Sequence, residues 1–253
     1  YRVAGMLYAV VVTSSRAHAK LRGIQSDEAL KMTGVHGVFT GENFPQRVGL
    51  YLGDKPALAR GRVRFYGEPV AAVVADNEKV ALAAAEKVKI DYEDLPVVKS
   101  PKEGLAADAP IIHPDMSEYV HIPAIHPEPG SNVANRTKIR KGDAKQAFAN
   151  ADTVIEGEFE FPPGDHVAME PRIAIAEVAA DGQIIVRTST QSPYGVRGIM
   201  SRSFGISPGK ITVIAPAVGG GFGGKAGIQL EPLAYLLSQA VGGRPVRVAN
   251  SRE

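Results

Sequence analysis

The residues best equipped for chemistry lie in one glycine-rich stretch and in the polar turns before it. Residues 217–227 read AVGGGFGGKAG, six glycines around one phenylalanine and one lysine, directly after the strand-like KITVIAP. Glycine loses more backbone entropy on folding than any other residue, so this density marks main chain that turns through positive φ or is approached very closely. Successive amides in such a loop make a nest for anionic groups. Upstream, TSTQSP places the carboxamide of Gln191 at a strand end, where it can donate to an oxo group and accept from a ring N–H at once. Farther upstream, GDHVAMEP carries His166 and Glu170 four residues apart. That is a metal-pair spacing only on a helix, and Pro163, Gly164 and Pro171 oppose one, so both read as loop polar groups.

Three readings of the glycine stretch compete. Residues 219–225 fit G-x-x-x-x-G-K, but Ala226 stands where a phosphate loop needs a Ser or Thr hydroxyl for magnesium. Gly219, Gly221 and Gly224 satisfy G-x-G-x-x-G, yet the chain about 20 residues on reads GGRPVRV, without the acidic residue of a dinucleotide site. The third reading is a tight structural crossover with no ligand. Within it Phe222 is a core ring beside glycines and Gln191 is satisfied by local backbone. Lys225 either neutralises a phosphate or caps the loop, and the sequence does not choose.

The elements that must position these residues follow from pattern. With 253 residues, 44% hydrophobic and 22% charged, the composition is that of a globular chain with a substantial core. Twenty-nine Lys and Arg against 27 Asp and Glu give a net charge of +2, which offers no electrostatic case for nucleic acid or an anionic membrane. No apolar run approaches the roughly 20 residues of a membrane span, and a cytoplasmic location is the expectation. Cysteine is absent, which excludes disulfides, a Cys nucleophile, a thiolate zinc site and an iron–sulfur cluster on this chain. The sequence opens on Tyr1 and stops at ANSRE after strand-like RPVRVAN, so it reads as a fragment or one part of a split protein.

GMLYAVVVTS is a buried-strand pattern. SDEALKMTG suits a short helix capped by Ser26. Residues 62–66 and 70–75 read as strands around a turn at Gly67, followed by a helix over 77–87 and a strand over 88–92. Between residues 99 and 141 prolines multiply, and His113, His121 and His126 read as exposed. Beyond them, GDAKQAFANAD is a helix capped by Asp143, and TVIEGEFEFP alternates cleanly between apolar and polar. A hairpin turns at Asp181-Gly182, a helix stops at Gly205, and Glu231-Pro232 begins another, where Glu231 suits the positive helix N-terminus.

Taken together, FYGEPVAAVVADNEKVALAAAEKVKIDYEDLPVV and STQSPYGVRGIM…KITVIAPAVGGGFGGKAG resemble the molybdenum-binding large subunit of the xanthine oxidase and aldehyde oxidoreductase family of molybdenum hydroxylases. The resemblance implies an α+β chain. Residues 1–105 match an α/β-hammerhead domain, 106–140 an irregular linker, and 141–253 the first part of a molybdopterin-binding domain. It implies a molybdenum–molybdopterin cofactor, including its cytosine dinucleotide form, with iron–sulfur and FAD carried by partner chains or domains. Carried over, Gln191 is the amide hydrogen-bonded to the oxo ligand, and Gly220, Gly221, Phe222 and Gly223 pass close to the metal and pterin. Gln191 and Phe222 thus stand beside the metal, and His166 and Glu170 near the cofactor entrance.

The implied reaction is oxidative hydroxylation of an aldehyde or N-heterocycle with water as the oxygen source. Ala226 replaces a substrate-binding glutamate of the purine-oxidising members. None of Glu170, Glu231 or Glu253 sits in the context of the family's catalytic base, so no catalytic residue is assigned. The implied partners are the remainder of the subunit, iron–sulfur and flavin subunits and a small substrate, and the chain alone would be inactive. The competing expectations are a non-catalytic assembly module of the same fold without its cofactor and, more distantly, a phosphate-loop nucleotide-binding protein.

Overall fold

The computed structural model describes residues 2–251, so Glu253 lies outside the described residues. In the first part, β1 (Leu7–Thr13), β2 (Ala19–Gln25), α1 (Asp27–Leu30), β3 (Val35–Thr40), β4 (Arg47–Val48), β5 (Lys55–Pro56), β6 (Arg62–Val63), β7 (Pro69–Ala75), α2 (Glu78–Ala85) and β8 (Lys89–Asp94) follow in order. After α3 (Pro101–Gly104) comes a long irregular stretch, and then α4 (Ala144–Ala149). The last part contains β9 (Ile173–Val178), β10 (Ile184–Thr188), α5 (Pro193–Phe204), β11 (Ile211–Ile214), α6 (Glu231–Ala240) and β12 (Val246–Ala249).

A mixed seven-stranded sheet runs β11-β10-β9-β12-β1-β7-β3, beside a three-stranded sheet β6-β2-β8 and the pair β4-β5. β12 joins the early strands to the late ones, parallel to β1 with Leu7 opposite Val246, and antiparallel to β9 with Val246 opposite Ala176. β7 shows why the sheet is buried on both faces. Its side chains alternate, so Ala72 and Val74 enter the main core while Ala71 and Val73 enter the core under α1 and α2. The main core continues through Ala174, Val186, Met200, Leu237 and Val248, closed by α5 and α6.

Local signals explain most element ends. Asn77 Oδ1 accepts from the Val80 amide, and Asp143 Oδ1 from Gln146, each capping its helix. α5 stops at Gly205 in the left-handed region (φ 65°). Four expectations need correction. Ser26 makes no side-chain cap bond, and α1 is a single turn. The 62–66 strand shortens to Arg62–Val63, because Phe65 and Tyr66 turn outward ahead of Gly67. His113 is not exposed. It is half-buried, with Nδ1 2.9 Å from the Tyr119 hydroxyl. Lastly, TVIEGEFEFP joins no sheet despite its alternation, and residues 151–167 are exposed throughout.

Candidate functional site

The end of β10 and the glycine loop are laced together. The Gln191 amide donates to the Lys225 carbonyl at 3.0 Å, and the buried Thr190 hydroxyl donates to the same oxygen at 3.1 Å. Gln191 Oε1 in turn accepts from the amides of Gly223 (3.1 Å) and Lys225 (3.2 Å). Its acceptor end is therefore committed to the loop rather than to a ring N–H. Its NH₂ end donates to nothing among the described residues. Behind this lacing, the Glu231 carboxylate at the start of α6 accepts from the Thr188 hydroxyl (2.7 Å) and the Gln229 amide (2.7 Å), which ties α6 to the end of β10.

A clasp holds the loop from the other side. Lys225 Nζ donates to Glu170 Oε2 at 2.7 Å, and the Gly219 amide donates to the same oxygen at 2.9 Å. The Lys225 side chain is only 3% exposed. It caps the loop and is spent on Glu170, which removes the charge a phosphate loop requires. Burial pushes the Glu170 carboxyl up, but the Lys225 hydrogen bond, the Gly219 amide and the Lys225 charge outweigh it and hold it below the usual glutamate value. Arg172 Nε and Nη2 donate to the Gly224 carbonyl at 3.2 and 3.0 Å. His166 and Glu170 diverge to different parts of the loop, and no group of three His, Asp or Glu suited to a metal ion occurs among the described residues.

This packing explains much of the glycine density. A Cβ at Gly221 would lie 2.4 Å from Gln191 Oε1, and one at Gly224 would lie 2.8 Å from the His166 ring. What approaches these glycines is the chain's own side chains. Phe222 is a different matter. It adopts φ 50°, uncommon for a bulky residue, and is 75% exposed, so it is not a core ring. The amides of Gly220, Gly221 and Phe222 donate to no group among the described residues, while those of Gly219, Gly223, Gly224 and Lys225 are all engaged. An open cleft of about 320 Å³ borders the loop, lined by His166, Glu170, Arg172, Lys225 and Asn250 among others. The Glu170–Lys225 clasp could not be foreseen, since its partners lie 55 positions apart with no shared pattern.

Comparison with known proteins defines the class first. Residues 125–253 match the molybdopterin cofactor-binding domain, and residues 1–96 the aldehyde oxidase and xanthine dehydrogenase a/b hammerhead domain. The chain belongs to the xanthine dehydrogenase and aldehyde oxidoreductase family of molybdenum hydroxylases, with an α+β fold. It is 34% identical over 266 residues to the xanthine dehydrogenase molybdenum-binding subunit of Escherichia coli O157:H7, covering 100% of this chain and 33% of that one. It is 31% identical to the carbon monoxide dehydrogenase large chain of Hydrogenophaga pseudoflava, covering 99% and 32%. Among solved structures it resembles the aldehyde oxidoreductase from Desulfovibrio gigas (TM-score 0.82, 30% identity, 99% of this chain and 27% of that one). It also resembles reconstituted CO dehydrogenase from Oligotropha carboxidovorans (TM-score 0.86, 29% identity, 100% and 32%). The chain spans about a third of the length of the curated relatives it matches. No helix among the described residues is long and apolar enough to cross a membrane.

Proposed function

We propose that this chain forms one wall of the molybdenum cofactor site in an oxidoreductase that hydroxylates an aldehyde or an N-heterocycle. In that reading residues 1–105 are the hammerhead domain, 106–140 the linker and 141–253 the first part of the cofactor-binding domain. The observation that carries it is the row of three amides at Gly220, Gly221 and Phe222, beside the NH₂ of Gln191, that donate to no group among the described residues. Such donors, fixed in place by the Lys225 and Glu170 bonds, suit a bulky anionic group.

When bound, the molybdenum cofactor supplies the two-electron oxidation, with oxygen drawn from water. The amides of Gly220, Gly221 and Phe222 would hold its anionic oxygens. Gln191 would offer its NH₂ to an anionic oxygen of the group, while its carbonyl keeps the loop in register through the Gly223 and Lys225 amides. The exposed Phe222 ring excludes bulk water and flanks a flat substrate. Gly223 lends its amide to Gln191 and so acts through that side chain. Ala226 leaves no carboxylate at that position for a purine, which favours an aldehyde or another heterocycle. With no cysteine on the chain, iron–sulfur clusters belong to partner chains or domains; the family reading places FAD there as well, and the chain alone is inactive. The cofactor is taken to include the cytosine dinucleotide form.

The test is Gln191→Ala in the assembled enzyme, with molybdenum measured by elemental analysis and pterin by fluorescence. Turnover falls about 100-fold, the scale of one lost oxyanion donor, while cofactor content falls far less. Full activity in the variant, or an assembled enzyme devoid of molybdenum and pterin, refutes the assignment.

A further inference from the structure

Residues 153–162, TVIEGEFEFP, are written as a strand and have no sheet. Ile155, Gly157, Phe159 and Phe161 fall on one face of an extended chain, and Glu156, Glu158 and Glu160 on the other. A half-buried strand hides the first face. Here Ile155 is 91% exposed, Phe159 83% and Phe161 87%. The backbone of this segment makes no hydrogen bond with any described residue. Its one ion pair among the described residues, Glu158 with Lys102 at 4.0 Å, joins two almost fully exposed side chains and fixes nothing. Three large apolar side chains in a row and a bare row of amides and carbonyls make a template for strand addition.

The lengths of the relatives indicate what covers it. The chain matches only about a third of the large subunits it resembles, so most of such a subunit lies outside these 253 residues. We propose that residues 153–162 are a docking strand whose occupant is a β-strand from that remaining part of the same large subunit. Its inward face is apolar against Ile155, Phe159 and Phe161, and its outward face carries lysine or arginine opposite the three glutamates.

The segment leads straight into the wall of the site. Four residues beyond it, His166 stands against Gly224, and Glu170 then grips Gly219 and Lys225. Docking therefore anchors the upstream end of the stretch that carries both contacts. Folding together of the subunit's parts and completion of the cleft become one event.

The experiment uses the complete large subunit, kept monomeric as verified by sedimentation. Amide hydrogen exchange is followed at residues 153–162, and a photo-reactive benzoylphenylalanine placed at Ile155 is cross-linked and mapped by mass spectrometry. The expected result is exchange at least about 100-fold slower than in an unstructured peptide. Cross-links are expected to peptides of the same subunit outside these 253 residues. Fast exchange in the unsubstituted protein overturns the proposal without recourse to any variant. So do cross-links to residues 1–253 of a second copy or to another polypeptide. Because neither readout depends on cofactor or turnover, this proposal and the assignment of the cofactor site fail separately.

Discussion

Glu170→Ala strips the Lys225 ammonium of its counter-ion in a place where water can hardly replace it. The lysine side chain is 3% exposed and sits 2.7 Å from a carboxylate oxygen that also receives the Gly219 amide. Removing one partner of a buried pair costs about 3–5 kcal/mol. The Glu170 side chain is 31% exposed, so part of that interaction is already screened and about 2–3 kcal/mol is the reasonable expectation. In urea unfolding this moves the midpoint down by roughly 1 M with an unchanged slope. Replacing both partners, Glu170→Gln with Lys225→Met, leaves no stranded charge and costs clearly less than Glu170→Ala. The pH dependence has a fixed sign. Glu170 titrates lower in the folded chain than in the unfolded one. Its contribution is therefore complete above about pH 4.3, the ordinary glutamate value, and disappears as pH falls through the lowered folded value. Glu170→Gln flattens that acid limb. A Glu170→Ala protein within about 0.5 kcal/mol of the parent, the range of an ordinary surface change, refutes the clasp as the loop's anchor.

Gly221→Ala drives a methyl to 2.4 Å from Gln191 Oε1, so the carboxamide must leave its two amides. The expected outcome is a fall in turnover on the scale of Gln191→Ala, about 100-fold, with a far smaller loss of bound molybdenum and pterin and an unchanged circular dichroism spectrum. Glu68→Ala leaves the buried Arg64 guanidinium, now 3.7 Å from the Glu68 carboxylate, without its counter-charge. A loss of about 3 kcal/mol in urea unfolding is expected, and a loss below about 0.5 kcal/mol contradicts it. His113 is held below the usual histidine value by burial and then by the Arg64 charge. It thus favours the folded state above about pH 6.5 and less as pH falls below it. His113→Gln removes that part of the acid sensitivity, read as melting temperature against pH.

Local chemistry was legible wherever a residue acts on its own neighbours. Asn77 and Asp143 cap the helices they precede, Gly205 ends α5, and the Asp181-Gly182 turn closes the β9–β10 hairpin. The glycine loop and Gln191 were also visible, because glycine density and a strand-end amide are sequence features. Pairings across long separations were not. The acid that satisfies Lys225 lies 55 residues upstream, and the helix-opening Glu231 turned out to bind Thr188, 43 residues before it. Alternation misled at residues 153–162 for a related reason. A period of two shows that one face wants cover, but not which polypeptide brings it. His113 escaped notice because its burial depends on Tyr119 and the Arg47 guanidinium stacked over that ring at 4.7 Å.

The middle strand of the seven has a consequence for how this chain is made. One edge of β1 pairs with β7 early, but its other edge, at Leu7–Ala9, stays open until residues 246–249 leave the ribosome, because among the described residues β12 bridges β1 to β9. At about 5–20 residues per second that wait is on the order of tens of seconds. Through it, Leu7 and Ala9 sit on a nascent polypeptide with half their lattice missing, and a chaperone has time to bind there.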